Sequence, residues 1–70
     1  MRLETFIMRV DRRQREQPAR RYGQILMVEL TIERPVLADG LRGCPKDPYY
    51  KQHKEECGEA LSFLTEHYKD

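Results

Sequence analysis

The fold turns on residues 22–33, Tyr22-Gly23-Gln24-Ile25-Leu26-Met27-Val28-Glu29-Leu30-Thr31-Ile32-Glu33. Taken at a period of two, Leu26, Val28, Leu30 and Ile32 fall on one face, with Gln24 in the same parity. Glu29, Thr31 and Glu33 mark the opposite, wetter side. Ile25 and Met27 make that second face partly apolar, so the start of the segment is expected to be covered on both sides. The same alternation runs through residues 3–11, where Phe6, Met8 and Val10 share one face and Thr5, Ile7 and Arg9 the other. β-Branched and aromatic content supports a strand in both places. Two strands this close in sequence pair antiparallel by default.

Between them, residues 12–21 read Arg12-Arg13-Gln14-Arg15-Glu16-Gln17-Pro18-Ala19-Arg20-Arg21. Five arginines and a proline, with nothing apolar larger than Ala19, predict an exposed Arg-rich hairpin loop. Pro35 ends the second strand, because proline cannot donate to a ladder. Val36-Leu37-Ala38 can dock a short apolar turn on the core, and residues 33–42 have room for a third strand. Residues 34–47 otherwise read as irregular, with turn chemistry at Asp39-Gly40 and Gly43. Asp47-Pro48 reads as an N-cap followed by proline at the first helical position, starting a helix over about residues 48–68. Its core stripe is Tyr50, Cys57, Ala60, Leu61, Leu64 and Tyr68, with His53 beside it and Tyr49, Phe63 and His67 on a flank. Gly58 weakens its interior by up to about 1 kcal/mol. The expected architecture is one α+β domain over residues 1–70: a small β-β-α unit, an antiparallel hairpin packed on one C-terminal amphipathic helix.

Seventy residues bury a modest core, and 36% of them are charged. A homodimer is one way for such a chain to cover surface that the monomer leaves wet. The net charge of +1 conceals an asymmetry: residues 1–24 carry +4, residues 25–43 carry −1 and residues 44–70 carry −2. All nine arginines precede Gly43 and all four lysines follow Cys44. A basic front of this kind suits a polyanion. No charged segment followed by an apolar export stretch opens the chain, and no run approaches 18 apolar residues. The expected setting is cytoplasmic, off the membrane, with Cys44 and Cys57 reduced.

Arginine forks bind phosphate oxygens bidentately, so the candidate contact residues are Arg9, Arg12, Arg13, Arg15, Arg20 and Arg21, with Tyr22 as the one aromatic adjoining them. The leading expectation is a small non-enzymatic accessory protein that binds nucleic acid through the loop. Against it stand a pI near 7.8 and the lack of aromatic residues interleaved with the arginines. The alternative is a stoichiometric protein-binding or inhibitor protein, of the compact sort that phages and other mobile elements encode. It would meet an acidic partner surface through the Arg loop, a strand edge or the helix flank.

His53 and Cys57 are four apart, and Cys44 lies upstream, which is conceivable zinc spacing. The fourth ligand is missing, since His67 falls roughly 21 Å further along a helix. A Cys44–Cys57 bridge would require an oxidising compartment. Cys57 with His53 makes a nucleophile and base on paper, but no orienting third group or oxyanion loop accompanies them. No enzyme activity, cofactor or metal is expected.

Overall fold

The computed structural model describes residues 1–69, and every regular element among them is helical. Helix α1 spans Leu3–Glu16, α2 Tyr22–Glu33, α3 Pro35–Leu41 and α4 Gly58–His67, the last preceded by a 3₁₀ turn over Lys54–Cys57. The α+β expectation is therefore wrong. There is no hairpin and no strand among the described residues; the chain is a small helical bundle.

The reason lies in the period. In α1 the residues turned inward are Leu3, Phe6, Ile7 and Val10, at i, i+3, i+4 and i+7, with Phe6 and Val10 fully buried. Met8, assigned to the same face as Phe6 and Val10 by alternation, is 68% exposed. The Arg-rich stretch does not break the pattern. Arginine, glutamine and glutamate are good helix formers, so α1 runs on through Arg12, Arg13 and Arg15 to Glu16. The connection shrinks to residues 17–21, with Pro18 just beyond the C-cap Gln17.

Helix α2 is apolar almost all the way round, as a central helix must be. Tyr22, Gly23, Ile25, Leu26, Met27, Glu29 and Leu30 are buried. The Ile25-Leu26-Met27 run that strained a two-sided strand thus fits three successive directions around one helix. Proline at 35 does stop the element, but as the first residue of α3. Arg34, the residue before it, leaves the helical region at φ −142°, ψ 75° and serves as C-cap of α2 and N-cap of α3. The segment expected to be irregular or a third strand is thus helical up to Leu41, with Ala38 and Leu41 buried.

The C-terminal helix is shorter than expected. Asp47 accepts from the Gly43 and Tyr49 backbone N–H groups at 2.8 and 3.0 Å, forming a turn that no helix follows. Tyr50, assigned to the core stripe, is 81% exposed. From Cys57 onward the stripe holds: Cys57, Ala60, Leu64 and Tyr68 are buried, and Leu61 and Phe63 pack against them. Each large apolar side chain taken fully out of water contributes about 1.5–3 kcal/mol before ordering costs.

What positions the surface is residues 44–53. Pro48 is fully buried and its carbonyl lies against the α carbon of Gly23, where a Cβ would overlap it. The Lys51 and Gln52 carbonyls accept from the Gly23 and Tyr22 backbone N–H groups at 3.0 and 3.1 Å. Two of the amides left open at the start of α2 are thereby satisfied from a loop some thirty residues later.

Candidate functional site

The six arginines singled out in the sequence do not act as one cluster. Two are turned inward between the first pair of helices. Arg9 donates from Nη2 to Glu33 Oε1 at 2.8 Å, and its Nε stands 3.4 Å from Glu29 Oε1. Arg13 Nε stands 3.0 Å from Glu29 Oε2. Neither Nε–H is aligned as a hydrogen bond, so the contacts to Glu29 are ion pairs rather than forked bonds. Glu29 is buried, and this charge set joins α1 to α2. The Arg9 bond, first among the causes, holds the Glu33 carboxyl below its ordinary value.

Arg12 and Arg15 point outward from α1. With Met8 and Asp11 they edge a shallow depression of about 250 Å³. Arg20, in the turn, donates to Gln17 Oε1 at 2.9 Å. Arg21 donates from Nε to the Tyr49 carbonyl at 3.3 Å. Its guanidinium carbon lies 5.5 Å from the centre of the Tyr49 ring and 5.4 Å from that of Tyr50, within cation–π range of both. The two rings meet edge to face at 5.1 Å.

Tyr22 is not part of any surface. It is buried, its hydroxyl donates to Asp11 Oδ1 at 2.7 Å, and Lys54 Nζ reaches the other Asp11 oxygen at 3.0 Å. Burial, then the bond to Asp11, push the phenol far above its usual range. Its role is to tie α1, α2 and the 3₁₀ turn together.

The aromatic residues that do accompany the arginines are Tyr49 and Tyr50. Nothing near Arg21 in sequence announces them; the signal available was Asp47-Pro48, whose turn chemistry holds the following pair out of a helix. The loop also carries positive charge to the basic end. Arg20 and Arg21 share a depression of about 150 Å³ with Gln14, Gln52 and His53. Beside it, Met27, Val28, Thr31, Arg42, Asp47, Tyr49 and Tyr50 line a cleft of about 310 Å³. Its walls are mostly apolar and aromatic, with Arg42 bonded to Thr31 Oγ1 at 3.0 Å and paired with Asp39. Flat or apolar groups suit such a cleft, with Arg42 and Asp47 as its polar markers.

No group of cysteine, histidine, aspartate or glutamate among the described residues is placed to hold a metal ion. The zinc set is dispersed: Cys57 Sγ is directed at the His53 carbonyl, 3.6 Å away, not at its imidazole. Burial pushes the Cys57 thiol up to about 11, the reverse of an activated nucleophile. Both cysteines are free. No described helix is long and apolar enough to cross a membrane.

A scan against protein-family models finds no match, and searches of curated proteins and of solved structures find none either.

Proposed function

We propose that this chain is a small non-enzymatic accessory protein that binds single-stranded nucleic acid. Phosphates meet Arg20, Arg21, Arg12 and Arg15, and a base lies against Tyr50. The observation that carries the reading is Arg21 facing both tyrosine rings beside Arg20 and His53. Cations interleaved with an exposed aromatic face are what single-strand binding requires. They supply the element whose absence weakened the reading from sequence. Arg9 and Arg13 are excluded from the contact set, since Glu29 and Glu33 already hold them.

Fluorescence anisotropy of labelled single-stranded DNA, RNA and duplex DNA against increasing salt tests this. Four phosphate contacts on a single strand give a log–log slope of about −3. Tyr50→Ala is expected to weaken binding by about 1–3 kcal/mol, the usual value of one stacked base. Arg20→Ala should reduce the slope by about 0.7. Absence of binding at physiological salt, or equal affinity for Tyr50→Ala, would reject the reading.

A second reading, a stoichiometric binder of an acidic protein surface, draws on the same outward arginines. It no longer has a strand edge to use. A shallow salt slope with a captured protein partner would favour it.

A further inference from the structure

Beyond any nucleic-acid role, we propose that the outward stripe of α2, continued by the first turn of α3, is the contact between two copies of this chain. The stripe consists of Gln24, Val28, Thr31, Ile32, Pro35 and Val36. Gln24 is half-buried and the other five are exposed, with Ile32 at 69% and Val36 at 81%. Not one of the six is charged, in a chain where 36% of residues are. The outer face of α1 shows the contrast, with Glu4, Arg12, Arg15 and Glu16 exposed on it. Depletion of charge around exposed aliphatic residues is the mark of an interface core.

Three features select a second copy as the occupant. A two-fold contact sets a surface against itself, so any charge at its centre would meet its own kind; this stripe has none to repel. At its rim Asp39 and Arg42 lie on the same edge, carry opposite charges and are both well exposed. Each copy pairs its own Asp39 with its own Arg42, so a two-fold axis sets one neutral pair against the other in opposite order. The size also fits. From Gln24 to Ile32 the stripe runs about 12 Å along α2 at the helical rise, and Pro35 and Val36 carry it on past Arg34, on a molecule measuring 28 × 26 × 19 Å. A small specific dimer takes roughly 600 Å² from each copy, near an eighth of the 4603 Å² this chain exposes. Centred on Ile32, the contact lies about 16 Å along α2 from Arg21, so the basic end of each copy remains open. Val28 and Thr31 also line the cleft that holds Tyr50, whereas Ile32 and Val36, which carry the test, lie outside it.

Sedimentation equilibrium across the micromolar to millimolar range gives the first test. The expected result is a mass approaching twice 8.4 kDa, reduced to the monomer by Ile32→Asp and by Val36→Asp. Both positions are exposed, so the far-UV spectrum should be unchanged. In a Cys44→Ser background, Ile32→Cys is expected to cross-link to its counterpart under mild oxidation, whereas Thr65→Cys on the exposed side of α4 is not. A monomer at every concentration overturns the proposal. So does a dimer that Ile32→Asp leaves intact, or equal cross-linking at both cysteine positions.

Discussion

Replacing Gly23 by alanine sets local propensity directly against tertiary packing. In an exposed helix the change would add about 1 kcal/mol of stability. Here the new Cβ would overlap the Pro48 carbonyl oxygen and stand 2.6 Å from its carbon and 3.1 Å from the Lys51 oxygen. All three are backbone atoms, so no rotamer change relieves the clash and the loop must withdraw. Withdrawal breaks the bonds from the Tyr22 and Gly23 amides to Gln52 and Lys51, and the bond from Arg21 to Tyr49. Three such bonds amount to about 3 kcal/mol at ~1 each. Overpacking and partial exposure of Pro48 add roughly 1–3 more. Set against the propensity gain, the net loss is about 3–5 kcal/mol. A core of this size supplies only about 3–5 kcal/mol in total, so Gly23→Ala should be largely unfolded at room temperature. Urea titration followed by far-UV circular dichroism reads this directly. A variant with a midpoint equal to or above that of the parent chain would refute the argument that the loop seats on α2 through this glycine.

Removing the carboxylate of Glu29 with Glu29→Ala leaves Arg13 without its partner and Arg9 with Glu33 alone. Both arginines keep partial access to water, so the cost should be about 1–2 kcal/mol rather than the 3–5 typical of a fully buried pair, measured by urea midpoint. Acid should destabilise the chain through Glu33. A carboxyl held low in the folded state contributes stability above its ordinary value of 4.5, and that contribution is lost as pH falls through the lowered one. The Glu33→Gln variant should show a flatter stability curve on that acid limb. With a thiol reagent at neutral pH, the half-buried Cys44 should react promptly. Buried Cys57, its thiol raised by desolvation, should react only at the rate of opening. Two equally fast thiols would contradict the burial of Cys57 in the core.

Part of this structure was legible in the residues. Pro35 stopped the element before it and the stripe from Cys57 to Tyr68 faced the core, because each depends on a local rule of backbone or spacing, whereas Asp47-Pro48, which reads as a helix start, closes a turn that no helix follows. Basic and acidic residues were also already segregated along the chain. The period of residues 3–11 and 22–33 was not legible. Phe6, Met8 and Val10 alternate, and so do Leu26, Val28, Leu30 and Ile32, yet short apolar runs satisfy two periods at once and only the available neighbours choose between them. Here the choice falls to a helix surrounded on three sides, in which Ile25 and Met27 find as much cover as Leu26. The fate of each arginine was equally beyond local reasoning. Arg9 meets Glu33 from 24 residues away, Arg21 meets Tyr49 across 28, and Lys54 reaches Asp11 across 43. A run of like side chains states how much charge is present. Which of those charges are neutralised inside the molecule, and which aromatic residues stand beside the remainder, follow only when distant segments are packed together.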